Sequence, residues 1–338
     1  MNPWTAVGAA APRGDREAQP SVSSNLSRLL EARAFVCTSE VTPPRGADAS
    51  ALREKARVLR GCADAVNITD NQTARVHMSS LAGAVVLRSE GVEPVLQVTT
   101  RDRNRLALQS DLLGASALGV RNILCLGGDP IHIGNDPTAK AVHDLDAAGL
   151  IGLARRLRDE SKDFAGTDLS HAPHLLIGGT CNPFGGSTEV ALRLLGEKVA
   201  AGADFFQTQA VFDLEKFEAF LGEARSAGAL DGARLLVGII PLKSAKTAHY
   251  LAEKVPGIVI PKRVLEEIDA ASDPAAYGKR LAVEIIDGVR ELRGVAGVHI
   301  MAINWEEAVR PIMDEAGLLP RRRSAPAVPP ENDREATP

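Results

Sequence analysis

The stretch 94–130, PVLQVTTRDRNRLALQSDLLGASALGVRNILCLGGDP, holds one complete strand–helix–strand unit and decides the reading of the fold. Its flanks, PVLQVT (94–99) and NILCL (122–126), are short apolar runs, as expected of strands covered on both faces. Between them, 103–118 carries apolar residues at helical spacing, and Gly119 is suited to the left-handed turn that ends a helix. Asp102 is a candidate N-cap for that helix.

Working outward, the same alternation recurs along the chain. Further strands are expected at 34–41 (AFVCTSEV), 65–69, 174–179, 205–211, 235–240 and 299–304. Helical patterns fall at 51–60, 79–90, 146–160, 189–201, 214–227, 244–254, 273–293 and 305–316; the helix at 273 opens with Asp273-Pro274, an N-cap followed by Pro at the first position. VPGIVIP (255–261) resembles an extra strand but reads as an insertion before a helix that starts near Lys262. About eight strand–helix repeats predict an α/β fold, a closed (β/α)8 TIM barrel. A doubly wound open sheet is the alternative, disfavoured because the first strand runs into Thr42-Pro43-Pro44-Arg45-Gly46 rather than GxGxxG. One barrel domain, 25–319, is expected between two disordered tails, 1–24 and 320–338, which are rich in Pro, Ala and polar residues. The Arg321-Arg322-Arg323 run reads as part of a solvated tail.

The bulk properties exclude several classes. The 338 residues are 45% hydrophobic and 24% charged, with a formal net charge of −4 and no basic run, so no nucleic-acid partner is expected. Cys37, Cys62, Cys125 and Cys181 lack metal-ligand spacing and read as buried thiols; no metal site is expected. The N-terminal segment lacks the apolar core of a secretory signal, and no run approaches the ~18 apolar residues of a membrane span. The expected address is the cytoplasm, without membrane association.

In a barrel of this type, side chains at the carboxyl ends of the strands face the active site. Polar groups cluster there: Glu40 on the first strand, Thr69 on the second, Gln97 on the third, Gly127-Gly128-Asp129 after the fourth, Asn182 after the fifth, Gln209 on the sixth and Asn304 on the eighth. A carboxyl such as Glu40 in an apolar strand is costly if ionised and unpaired, and a group so placed can hold a proton and deliver it. The bland reading is a salt bridge to Arg45 or another cation. Asp129 follows two glycines that let backbone approach a ligand, yet equally suits a turn cap. Gln209 could bond the edge of a flat heterocycle or be a satisfied core amide. Lys198 alone reads as a surface lysine.

SEVTPPRG, VNITDN, the 94–130 block, GGTCNP, EKVAAGADFFQTQAVFD and GIIPLKSA occur in order between about residues 35 and 317, and together they resemble the methylenetetrahydrofolate reductases. The likeness is greatest to the branch whose reductase domain can be joined to a homocysteine methyltransferase domain. The resemblance implies a barrel holding FAD, with NADH or NADPH as co-substrate, that reduces 5,10-methylenetetrahydrofolate to 5-methyltetrahydrofolate or runs the reverse. It implies Glu40 as the acid that opens the bridging ring and Asp129 as a catalytic carboxylate beside flavin and folate. It places Gln209 on folate or nicotinamide, with Asn304 also on the substrate side, and assigns Thr69, Gln97, Gly128, Asp129, Asn182 and Lys198 to the cofactor. A homo-oligomer and a partner redox protein or methyltransferase are compatible with it. The chain departs from the family pattern at Gly127, where many members have Arg, at Ala245, where an aromatic stacks on the heterocycle, and at Val95, where some members have His. The competing readings are a flavin-independent pterin-binding methyltransferase barrel, a reductase subunit fed by a partner redox protein, and a non-catalytic relative.

Overall fold

Eight parallel strands close on themselves in chain order in the computed structural model, which describes residues 24–321. They are β1 (Val36–Val41), β2 (Ala65–Ile68), β3 (Pro94–Thr99), β4 (Asn122–Leu126), β5 (Leu176–Cys181), β6 (Phe205–Ala210), β7 (Arg234–Ile239) and β8 (Val295–Ile300). The helices are α1 (Asn25–Glu31), α2 (Ser50–Leu59), α3 (Ser80–Ser89), α4 (Arg105–Ala117), α5 (Ala147–Asp159), α6 (Thr188–Ala201), α7 (Leu214–Ser226), α8 (Ala245–Lys254), α9 (Lys262–Ala270), α10 (Pro274–Arg290) and α11 (Val309–Glu315). Pairing of β1 with both β2 and β8 closes the barrel. No described helix is long and apolar enough to cross a membrane.

The barrel has two apolar cores because each strand alternates its side chains. Outward residues such as Cys37, Val66, Leu96 and Ile177 pack under the helices. Inward residues such as Val36, Val95, Leu124 and Phe205 form a separate cluster at the amino ends of the strands. Leu26, Leu29 and Leu30 of α1 seal that cluster from below. Ser24 caps α1 through a reciprocal bond with Ser27, and the Glu93 carboxylate accepts from the Asn25 and Leu26 backbone N–H groups at 2.6 and 2.9 Å. A carboxylate at a helix N-terminus is favoured by the exposed N–H groups there. Phe205 fills the space beside Gly178, where a Cβ would lie 2.4 Å from its ring.

Several expectations need correction. The short α1 was not anticipated. β5 runs two residues further than expected, to Cys181, because Gly178 and Gly179 are interior to it rather than its end. β8 starts at Val295 and stops at Ile300, so Asn304 lies beyond it; Ala296 and Gly297 hide its start. The run 255–261 is not a strand; it leads the chain back to the loop after β5, where Gly257 (φ 80°) packs against the Asn182 side chain. Asn104, not Asp102, caps α4, while Asp102 pairs with Arg101.

Arg321 is not solvated. Its guanidinium pairs with Asp64, Nε lying 3.1 Å from Oδ1, and donates to the Phe35 carbonyl at 2.9 Å. Asp64 also accepts from the Cys37 N–H at 2.7 Å, so the pair fastens the residues after α11 to the start of β1. Tail assignments elsewhere fall on residues 1–23 and 322–338, outside the described residues. Asp64→Ala leaves Arg321 uncompensated and the Cys37 N–H without its acceptor; urea denaturation should show a loss of about 3–5 kcal/mol. A loss below about 1 kcal/mol would mean that the clasp contributes little.

Candidate active site

Strand parity aims the polar residues. On β1, Val36, Thr38 and Glu40 share the inward face while Cys37 and Val41 pack outward. β2 and β3 turn Asn67 and Gln97 inward, Asn67 in register with Glu40 and Val95 and Gln97 two residues further toward the carboxyl end, and β6 supplies Gln207 and Gln209. Two irregularities adjust this alternation. The β7–β8 register shifts between Leu235 and Leu236, so Ala296 faces inward, Val298 and Ile300 face outward, and His299 and Met301 return to the interior. Gly297 stands at the shift because a Cβ there would lie 2.1 Å from the Val36 carbonyl oxygen. The β6–β7 register slips between Gln207 and Ala210, where Thr208 Oγ1 accepts from the Gly238 N–H at 2.9 Å.

Above the apolar plug these side chains form one hydrogen-bonded layer. Asn67 and Gln207 exchange amide bonds at 2.7 and 3.1 Å. Gln207 Nε2 donates to Thr38 Oγ1 at 3.2 Å, and Thr38 Oγ1 lies 2.9 Å from His299 Nδ1. The other imidazole nitrogen, Nε2, is 3.8 Å from Glu40 Oε2, and Gln97 Nε2 donates to that same oxygen at 2.8 Å. Glu40 is half-buried, its side chain 20% exposed, and no arginine touches it among the described residues; Arg45 is exposed. The salt bridge to Arg45 does not form, and the imidazole of His299 is the one potentially cationic group within 4 Å of Glu40 among the described residues.

Glu40 opens into a cavity of about 460 Å³ at the carboxyl end of the barrel. Of the residues singled out from sequence, Glu40, Gln97, Asp129, Asn182, Lys198 and Gln209 line it. Val190 and Leu194 of α6 give it an apolar wall although each is 42% exposed, a surface suited to a flat ligand. Thr69, Gly128 and Asn304 do not line the cavity. Thr69 is buried with its Oγ1 unpaired, Gly128 adopts a left-handed φ of 88° against Arg101, and Asn304 is exposed in a left-handed turn after β8.

Sequence reasoning missed the groups that fix the rim. Arg101 is 1% exposed, grips Asp102 through two bonds, and donates to the carbonyls of Asp129 at 3.0 Å and Asn71 at 3.1 Å. Arg103 holds the buried Asp70 at 2.7 and 3.1 Å. Asp129 Oδ2 accepts from the Thr73 N–H at 2.6 Å. Together these bonds join the loops after β2, β3 and β4, so Asp129 is held in place. His299 and Gln207 were likewise missed as part of the site.

A scan against family models matches methylenetetrahydrofolate reductase over residues 25–317. The chain belongs to the methylenetetrahydrofolate reductase family. A probable methylenetetrahydrofolate reductase (NADPH) of Caenorhabditis elegans is 25% identical over 87% of this chain, which spans 44% of that protein. The 5,10-methylenetetrahydrofolate reductase of Salmonella typhimurium is 27% identical over 68% of this chain and 72% of its own length. The chain thus spans less than half the length of several eukaryotic relatives it matches. A Clostridium thermocellum protein described as binding two copies of 5-methyl-5,6,7,8-tetrahydrofolic acid shares the fold, with a TM-score of 0.59 at 17% identity over 88% of this chain and 100% of its own.

Within this methylenetetrahydrofolate reductase fold, the three departures from the family pattern fall in different places. Val95 is buried in the lower apolar cluster, one inward position below Gln97, and Gln97 is the β3 residue that reaches the cavity. Gly127 and Ala245 do not line the cavity. Whether the residues suit a flavin dinucleotide can be judged from their donors. Lys198 Nζ donates to the Thr180 carbonyl at 2.6 Å and has no carboxylate partner among the described residues. Burial pushes its pKa below the usual lysine value. A half-buried cation without a counter-charge on the cavity wall fits an anionic ligand such as the diphosphate of FAD.

The sign of the Lys198 shift gives a test. With a folded pKa below the unfolded one, the unfolded chain binds more protons between the two values, so stability rises with pH across that window. In the flavin-free protein, Lys198→Met should raise the urea midpoint at neutral pH, and the gain should shrink as pH climbs toward the unfolded lysine value. A variant less stable than the parent at every pH would show that Lys198 is a structural cation.

Proposed function

We propose that the chain interconverts 5,10-methylenetetrahydrofolate and 5-methyltetrahydrofolate, with FAD in the cavity and NADH or NADPH as the electron donor. The observation that carries this reading is Glu40, a carboxylate that opens into the cavity, bonded to an amide and beside an imidazole rather than pinned by a cation. Family membership and the described ligand of the Clostridium neighbour accord with a folate here.

The one-carbon bridge of the substrate joins two nitrogens and accepts a hydride only after one C–N bond opens. Opening requires a proton on the departing nitrogen. Gln97 occupies one oxygen of Glu40 and leaves Oε1 to carry and deliver that proton. His299 stands 3.8 Å from the same carboxylate, with Thr38 on its far nitrogen, and can restore the proton from the buried layer. Asp129, fixed by Thr73 on the same cavity, stabilises the positive charge that develops on the opened carbon unit. Gln209, whose Oε1 accepts from the Ala210 N–H at 3.0 Å, presents its amide nitrogen to a heterocycle edge. FAD held here and reduced by the nicotinamide would supply the hydride. Lys198 would face its diphosphate, with Asn182 on the same cavity wall.

The purified protein should be yellow and should bleach with NADH or NADPH. Glu40→Gln should leave flavin reduction by the nicotinamide within about twofold and slow flavin reoxidation by methylenetetrahydrofolate about 10²–10⁴-fold, the usual range for a lost general acid. Stopped-flow measurement of the two half-reactions separates the steps. An equal loss in both would make Glu40 structural, and a colourless protein that FAD cannot reconstitute would favour the flavin-independent methyltransferase.

A further inference from the structure

At the opposite, amino end of the barrel lies a second cavity of about 760 Å³, larger than the candidate active site. Arg33, Arg225, Arg234 and Arg293 line it against a single carboxylate, Asp231. They come from separate elements: Arg33 follows α1, Arg225 ends α7, Arg234 opens β7 and Arg293 precedes β8. None of the four pairs with a carboxylate among the described residues. Like charges around one cavity repel, so the arrangement lacks a counter-charge that a ligand could supply. Leu30, Phe35 and Leu230 give the cavity an apolar floor.

One guanidinium is fixed by a hydrogen bond, and one arginine by its backbone. Arg225 Nη1 donates to the Arg293 carbonyl at 2.5 Å, which joins the end of α7 to the turn before β8. Arg33 has φ 55° just past α1, where its N–H bonds to the Leu30 carbonyl and that of Ala34 to the Leu29 carbonyl. Such a position favours glycine, and arginine there costs conformational energy; its exposed side chain lines the cavity.

We propose that this cavity binds a phosphorylated small molecule with a flat apolar body, such as a nucleoside diphosphate: arginines on the phosphates, the apolar floor under the body. It is a binding site and not a second active site, because apart from the arginines Asp231 is the one ionisable group on its wall. The apolar plug of α1 and the lower strands separates it from Glu40, so the assignment does not depend on the proposed reductase chemistry.

Titration calorimetry of the flavin-loaded full chain with ADP tests it. One ADP should bind per chain, at least tenfold tighter than pyrophosphate, and Arg33→Gln/Arg234→Gln should weaken ADP at least tenfold at unchanged flavin content and melting temperature. Should the double variant fold poorly, the exposed Arg293→Gln should still weaken ADP at least threefold. No ADP binding, or ADP affinity within twofold of the parent in the folded variants, would overturn the site. Equal affinity for pyrophosphate and ADP would overturn the role of the apolar floor.

Discussion

The bond from Gln97 Nε2 to Glu40 Oε2, 2.8 Å long, is the contact around which the carboxyl end of the barrel is organised. It can form because two non-adjacent strands, β1 and β3, both turn these positions inward near their carboxyl ends. A one-residue slip in either would send its side chain to the helices. Closure of the barrel and the apolar plug beneath therefore matter to the chemistry as much as the residues themselves. Leu26, Leu29 and Leu30 close the lower end, and the polar layer of Thr38, Asn67, Gln207 and His299 rests on it with its hydrogen bonds made internally. A fully satisfied buried network is rigid, whereas a partly satisfied one is costly.

The rim is built on a different principle. Above the strands, ion pairs do what parity does below: Arg101 and Arg103 fasten three successive loops, and Asp129 keeps its place because Thr73 and Arg101 hold its oxygens. Lys198, on the cavity wall, and the buried Thr69 hydroxyl, away from it, are the exceptions, polar groups left under-partnered. Binding sites commonly leave such groups waiting for a ligand, at some cost to the empty protein. The Arg-walled cavity at the other end shows the same imbalance on a larger scale.

Much of this was legible from residue order. β3 and β4 match their expected bounds because Pro94 and Gly127 punctuate unbroken apolar runs. Glu40 stood out because a carboxylate in such a run needs a reason. Burial of Arg101 could not be read, since TTRDRN looks like any charged turn until the loops around it are placed. His299 was obscured by Gly297, which reads as a break but accommodates the close approach of β1 and the parity change that turns the imidazole inward. Asn304 was misplaced for the same reason. Seven residues of α1 gave too short a period to read, and the Asp64–Arg321 pair joins residues 257 apart, a separation no local pattern reports.

The central claim is that Glu40 meets the folate at the carbon bridge. A crystal structure of the flavin-loaded chain with 5-methyltetrahydrofolate tests it directly. The account predicts the pterin in the cavity between Gln209 and Glu40, with a carboxylate oxygen within hydrogen-bond reach of a nitrogen flanking the one-carbon unit. A folate bound elsewhere, or Glu40 turned away onto a cation with the pterin in place, would contradict it.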